Sequence, residues 1–201
     1  MNILFVGKYN PEYNRNKIIL EGLRKLDNLT VSELPFNKKK DFNLKKFNKL
    51  QNECDFIYCP SFSHKFVKFI TKKASKPVIF DPLISNYLTK VFDYESVSKW
   101  SPRAYKNYLK DKRPFKAVDL LIADTEEHKQ YYHTTFKIEL NKIKVLPVGA
   151  IVSDFSPTTK RKTKKFVVGF YGGFIPLQGV KHIIETAELL KNDSTIEFRL
   201  I

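Results

Sequence analysis

Short runs of apolar residues alternate with longer amphipathic stretches along most of the 201-residue chain. Apolar runs of strand length between stretches with helical spacing are typical of βαβ units, which stack into a parallel sheet flanked by helices. The pattern therefore predicts an α/β, Rossmann-like fold. Its strands are expected at Ile3–Val6, Thr30–Leu34, Asp55–Cys59, Val78–Phe80, Leu120–Ala123, Ile143–Leu146, Phe166–Tyr171 and Thr195–Ile201.

Amphipathic helices are predicted to fill most of the gaps between these strands. The stretch Asn16–Leu26 carries apolar residues on one face, namely Ile19, Leu23 and Leu26. Asp124 and Glu127 have the spacing of a capping box that opens another helix. Acidic residues in a first helical turn are ordinary partners of the helix dipole, so we interpret this cluster as structural.

A longer segment, residues 84–116, interrupts the regular alternation and mixes aromatic residues with eight cations. Ser101 followed by Pro102 predicts the start of a helix, and Pro114 is expected to close or kink it. Insertions of this size on an α/β framework often determine specificity.

The sequence also predicts two domains. Residues 156–165 are poor in apolar side chains and carry five cations, so we interpret them as a linker between a domain at 1–155 and a second unit at 166–201. The second unit is smaller than the roughly 40 residues that a lone core needs. We expect it to be the truncated start of a larger domain, or to add to the first domain or to a partner chain.

The net charge of +15, from 36 Lys and Arg against 21 Asp and Glu, predicts an anionic partner. Nucleic acid, an anionic membrane face and phosphorylated small molecules all fit that charge, and 14% aromatic content would suit nucleic acid. However, the cations are spread along the chain, and no RNP, zinc-finger or helix-turn-helix pattern is present. We therefore do not expect nucleic acid to be the partner.

The cysteines and the N-terminus predict a cytoplasmic protein. The residues MNILFVG enter a strand directly, without the regions of a signal peptide, and no stretch reaches the roughly 20 apolar residues that span a bilayer. Cys54 and Cys59 form a single C-x4-C pair, which predicts two core thiols and no metal site.

Two basic amphipathic stretches leave open a peripheral position on the inner membrane face. Residues 38–50 and 64–73 set apolar side chains among lysines, the former with Leu44, Phe47 and Leu50, the latter with Phe66, Phe69 and Ile70. Helices of this kind bind anionic lipid. The alternative is that the apolar residues face the sheet and the lysines face water.

The glycine-rich stretch GFYGGFIPLQGVK, residues 169–181, lies between a predicted strand and a predicted helix. Gly172, Gly173 and Gly179 would let the backbone approach an anion, and the helix would present unpaired N–H groups to it. The spacing matches neither the P-loop nor the dinucleotide-binding fingerprint. It predicts a phosphate-binding loop, or else only a tight strand-to-helix turn.

A family resemblance extends from Val118 to Leu200. It rests on the glycine-rich stretch and on positions before it, namely Asp124-Thr125, Ile143–Leu146, Val148-Gly149-Ala150, Asp154, Phe155 and Pro157. Their order resembles glycosyltransferase family four, the retaining group-one transferases of GT-B fold. Weaker similarity lies in the first strand and in KPVIFDP.

The resemblance implies an enzyme of two Rossmann-like domains that moves a sugar from a nucleotide-sugar donor to a glycan or lipid-linked acceptor. The N-terminal domain would bind the acceptor, and the C-terminal domain would bind the donor. The nucleotide-sugar is a substrate, so no cofactor is implied, and no metal either. The family's catalytic glutamates would lie beyond Ile201, so we expect these 201 residues alone to be inactive.

The sequence departs from the family at two places. The arginine and the lysine that grip the donor diphosphate are replaced by Gly173 and Gln178. The histidine after the fourth strand is replaced by Asp81, which would contact acceptor hydroxyls or act as a base, or else form a turn before Pro82. A non-catalytic interaction module derived from a transferase is therefore an alternative, with a basic nucleic-acid-binding protein behind it.

The loop after the first strand is predicted to serve the acceptor side, because open α/β sheets bind ligands at the carboxyl ends of their strands. Gly7, Lys8 and Asn16 are the candidates there. The alternative is a solvated loop with Asn16 as a helix N-cap.

Overall fold

The computed structural model describes residues 1–156 and 164–201 and contains two parallel sheets. The first has six strands in the order β2-β1-β3-β4-β5-β6, and the second pairs β7 with β8. All eight predicted strands are present, and each end lies within one residue of its predicted position. They are β1 Asn2–Gly7, β2 Thr30–Pro35, β3 Phe56–Cys59, β4 Val78–Phe80, β5 Leu120–Ala123, β6 Ile143–Val145, β7 Phe166–Phe170 and β8 Ile196–Leu200.

Helices connect the strands, as parallel pairing requires. They are α1 Asn14–Arg24, α2 Leu44–Asn52, α3 His64–Thr71, the short α4 Asn86–Leu88, α5 Pro102–Ala117, α6 Glu126–Phe136 and α7 Val180–Leu189. A six-stranded parallel sheet flanked by helices confirms the predicted Rossmann-like class.

The core lies on both faces of the six-stranded sheet because successive strand residues point to opposite sides. Along β1, Leu4 and Val6 join the larger apolar cluster, whereas Ile3 and Phe5 join a smaller one that packs on α1. Both faces of the central strands are buried, which is why those strands appear in the sequence as continuous apolar runs. Cys54 and Cys59 are free thiols within the larger cluster, as predicted.

Several helix details differ from the predictions. Helix α1 begins and ends two residues earlier than expected, so Leu26 lies outside it and is 54% exposed. The cap of α6 is Thr125, whose hydroxyl accepts a hydrogen bond from the His128 amide, and the predicted Asp124 cap is wrong. The Asp124 carboxylate is bound instead to the ring of His128.

Helix α5 has the predicted start, with Ser101 accepting a hydrogen bond from Ala104 and Pro102 in the first turn. Pro114 does not close the helix, which continues to Ala117. The missing proline N–H is tolerated close to the end of a 16-residue helix.

The two basic amphipathic stretches turn most of their apolar residues towards the sheet. Phe47, Phe66 and Ile70 are buried in the larger core cluster, with Leu50 and Phe69 packed against it. Among the predicted contact residues, only Leu44 counts as exposed, at 44%. This arrangement matches the alternative in which the lysines of these helices face water.

The structure also bears on the predicted linker and on membrane-spanning helices. Most of the predicted linker at 156–165, and Pro157 with it, lies outside the described residues. Within the described part of the chain, no helix is both long and apolar enough to cross a bilayer.

Candidate functional sites

The first candidate site lies at the carboxyl edge of the six-stranded sheet. Strand β1 pairs with β2 on one side and with β3 on the other, both in parallel. The sheet therefore grows in opposite directions from β1 and β3, which makes the position between them a topological switch point. Ligands of open α/β sheets bind in the crevice at such a point. Gly7 ends β1 there, and Asp81 follows directly after β4 at the same edge.

Gly7 allows the β1 loop to lie against the loop after β3. Its φ is 152°, and a Cβ at this position would come within 2.4 Å of Ser63 Oγ. The same Ser63 hydroxyl donates a hydrogen bond of 3.1 Å to the Lys8 carbonyl. Close contact thus explains the glycine, while the Lys8 side chain remains exposed and available to an anion.

Asp81 lies at the centre of a buried polar network. Its Oδ2 accepts hydrogen bonds from Arg15 Nε at 2.7 Å and from the Tyr58 hydroxyl at 2.8 Å. Its Oδ1 accepts from the Leu83 amide at 3.2 Å. Burial, followed by the neighbouring Asp81 charge, raises the pKa of Tyr58, so this hydroxyl stays a proton donor.

These contacts bear on the two roles considered for Asp81. The bond to the amide two residues later is the Asx-turn geometry expected of an aspartate before a proline. Both carboxylate oxygens are occupied and the side chain is 1% exposed. The observed contacts therefore favour the turn-forming role over that of a base.

Arg15 is a site residue that the sequence reasoning missed. It belongs to the first turn of α1, and besides Asp81 it binds the carbonyl of Pro147 at 2.9 Å through Nη1. It thus ties together α1, the end of β4 and the loop after β6. No local signal marked it, because its partners lie 66 and 132 positions away.

Three buried polar atoms on the elements of this edge have no partner among the described residues: Arg15 Nη2, Asn16 Oδ1 and Ser61 Oγ. Asn16 lies inside α1, whose cap is Tyr13, and its Nδ2 donates to the Asn10 carbonyl. The predicted alternative of Asn16 as an N-cap is therefore wrong. Unpaired buried polar groups in native proteins are commonly satisfied by ordered water.

The second candidate site is the glycine turn between β7 and α7. Gly179 adopts a left-handed conformation with φ 65° and caps α7. Within residues 164–201, the loop amides of Gly173 and Phe174 donate no hydrogen bond in the structure. Val180 and Lys181 open α7, and the first amides of a helix lack an intrahelical acceptor. Unpaired amides on a loop and on the first turn of a ten-residue helix form an anion-binding arrangement.

Gln178 contributes to the shape of this turn. Its side chain packs over Gly172, where a Cβ would lie 2.7 Å from Oε1. The nearest cation in the sequence, Lys181, has an 82% exposed side chain that pairs with Glu185 at 3.7 Å. The turn therefore offers backbone N–H groups to an anion rather than side-chain charge.

Comparisons with known proteins bear on the fold. No protein-family model matches the chain, and no curated protein matches it. Among solved structures, it is similar to S. aureus MnaA in complex with UDP, at 10% sequence identity and a TM-score of 0.50. The match covers 99% of this chain and 61% of that one, so the chain spans less than two thirds of that protein's length. At this identity the likeness confirms the Rossmann-like fold.

Proposed function

We propose that this chain is the acceptor-binding domain and the beginning of the donor-binding domain of a nucleotide-sugar-dependent glycosyltransferase of GT-B fold, in the retaining group of family four. The observation that supports this most is the pair of unpaired loop amides, Gly173 and Phe174, next to the N-terminus of α7. The similar fold of a protein that binds UDP and the net charge of +15 are consistent with an anionic donor.

In the proposed reaction, the glycine turn holds the donor diphosphate. The amides of Gly173 and Phe174, with those of the first turn of α7, would donate hydrogen bonds to phosphate oxygens. The positive end of the helix dipole would stabilise the charge that develops on the departing diphosphate. Backbone groups would thus replace the two cations that the family places at Gly173 and Gln178.

The acceptor would lie in the crevice between β1 and β3. Lys8 would attract a negatively charged acceptor, and the buried network of Arg15 and Asp81 would hold the loops of the crevice in place. We do not assign Asp81 as the base, because it is buried and both its oxygens already accept hydrogen bonds.

UDP titration followed by amide NMR shifts tests the donor site directly. We expect UDP to shift the amides of Gly172, Gly173 and Gly179–Lys181 with a Kd no weaker than about 1 mM, which corresponds to about −4 kcal/mol. Gly173→Asp places a carboxylate at the turn, where the nearest atom to a Cβ is 3.9 Å away, and should abolish the shifts.

Gly22→Asp is the matched control, because it adds the same charge at an open position of α1 with no atom within 4 Å of a Cβ. It should leave the UDP shifts unchanged. If UDP shifts none of the turn amides, or shifts them equally in the Gly173→Asp chain, the donor-site proposal is refuted. The interaction-module alternative would then be the better account.

A further inference from the structure

A cationic groove runs between α3 and α5, apart from the glycine turn and bordering the sheet-edge site through Phe62 and His64, which flank Ser63. It has a volume of about 550 Å³, within the range of small-molecule sites. Five of its lining residues are cations: Lys65, Lys68, Lys106, Lys110 and Arg113. A second groove of about 400 Å³ adjoins it, shares Lys106 and Lys110, and adds Lys90 and Arg103.

Helical spacing brings these charges together. Arg103, Lys106, Lys110 and Arg113 lie at positions i, i+3, i+7 and i+10 of α5, which is one face of a helix. The opposite face of α5 is buried through residues that include Ala104 and Phe115. Lys65 and Lys68 repeat the i, i+3 spacing on α3, so two basic stripes meet across one groove.

No acidic residue of the described chain lines the groove, although the buried Asp111 carboxylate lies behind it, bonded to Asn86 and 3.7 Å from the His64 ring. Among the described residues that line it or its neighbour, none is acidic, and none of the seven cations has a carboxylate oxygen within 4.0 Å. Burial lowers the pKa of Lys110, the charges of Lys90 and Lys106 lower it further, and the Asp111 charge opposes the shift. Cations this close repel one another and destabilise the folded chain. Such a cluster is better explained by the binding of an anionic ligand than by a contribution to stability.

Apolar and polar groups complete the lining. Phe62, Leu109 and Pro114 give the groove an apolar part. Phe62 has a left-handed backbone with φ 68°, which is unfavourable for a phenylalanine, and it remains 44% exposed. In the adjoining groove, the buried Asn107 Nδ2 is a hydrogen-bond donor without a partner among the described residues.

We propose that this groove binds a small ligand that carries at least two phosphate charges. Two facing rows of cations match a diphosphate or two neighbouring phosphates, and a monovalent anion would leave most of the charge uncompensated. The apolar part would hold a sugar ring or an alkyl segment of the same ligand. The site is distinct from the glycine turn, and it stands whether or not the chain is part of a transferase.

Pyrophosphate binding, measured by calorimetry at low salt, tests the site. The measurement uses the Gly173→Asp chain, so that the glycine turn does not contribute. In that background, Lys106→Gln/Lys110→Gln should weaken binding at least about tenfold, because it removes two cations that donate charge-assisted hydrogen bonds to phosphate oxygens. Lys45→Gln/Lys49→Gln removes two exposed charges from α2 and should leave binding unchanged.

A thermal melt tests whether unfolding explains any loss of pyrophosphate binding in the Lys106→Gln/Lys110→Gln variant. Since the substitutions at Lys106 and Lys110 relieve repulsion, that variant should melt no lower than its parent. Equal loss of pyrophosphate binding in both double variants would show only a general charge effect and would overturn the proposal. Absence of pyrophosphate binding in the parent chain would overturn it as well.

The source of the phosphates is decided by two further arms. Sedimentation with phosphatidylglycerol vesicles, lost in the Lys106→Gln/Lys110→Gln chain, would identify a lipid headgroup. Pyrophosphate binding without vesicle binding would identify a soluble phosphorylated ligand. If random-sequence DNA binds and pyrophosphate does not, an extended phosphodiester surface is present, and the small-ligand site is refuted.

Discussion

The buried Arg15–Asp81 ion pair should dominate the stability of the carboxyl edge of the six-stranded sheet. Asp81→Asn keeps the shape of the side chain and an acceptor for the Leu83 amide, but it removes the charge that faces Arg15. The two side chains are 3% and 1% exposed, so the guanidinium would be left buried without a counter-charge. We expect a loss of about 3–5 kcal/mol in the free energy of unfolding.

This loss is large beside the 5–15 kcal/mol that typically stabilises a domain. Arg15→Met should cost a similar amount, because it leaves the Asp81 carboxylate buried and unpaired. The double variant should cost clearly less than the two single losses combined, by about 1–3 kcal/mol, since neither charge remains. Urea unfolding followed by far-UV circular dichroism gives each free energy by linear extrapolation.

Arg24→Met is the control for removing an arginine. Its partner is Glu33, and the two side chains are 54% and 29% exposed, so solvent screens the pair. The expected loss is below about 1 kcal/mol. If the Arg15 and Asp81 losses add within about 0.5 kcal/mol, the two residues act independently and the reasoning is wrong.

Three further predictions concern stability and accessibility. Gly7→Ala should lower the melting temperature because its Cβ would meet Ser63 Oγ, while Gly22→Ala should raise it slightly; equal effects would contradict the close contact. Asp111 accepts hydrogen bonds from Ser85, Asn86 and Tyr87, and so fixes this segment to α5. Asp111→Ala should therefore speed tryptic cleavage within residues 84–100. An unchanged cleavage rate would show that Asp111 does not hold the segment in place. Cys59 is fully buried and burial raises the pKa of its thiol, so a thiol reagent should label it only in denaturant, and rapid labelling of the native chain would contradict its place in the core.

The strands could be predicted from the sequence because burial on both faces leaves a local mark. A strand such as Ile3–Val6 must be apolar along its length when helices cover both sides of the sheet, and flanking polar residues show where it ends. Helix ends were less predictable. Asp124 and Thr125 are both residue types that cap helices well. In the structure Asp124 binds the ring of His128, and Thr125 takes the cap position of α6.

Both candidate sites were partly visible in the sequence. The glycine turn could be recognised because glycines and a following helix are local features, although only the structure identified which amides are unpaired. At the sheet edge, Gly7, Lys8 and Asn16 were proposed from their place after β1. Their roles were not, since Asn16 is buried inside α1 and Gly7 is required by Ser63 in a distant loop.

By itself, the sequence determined the order and type of the elements, the parallel α/β class, the core thiols and the excess of positive charge, because each depends on composition or on spacing along one element. The tertiary structure alone decided which distant groups meet. It paired Arg15 with Asp81, turned the apolar faces of α2 and α3 inward, and set the basic stripe of α5 opposite Lys65 and Lys68. Such pairings depend on how the helices pack on the sheet, and no local sequence pattern encodes contacts between residues so far apart in the chain.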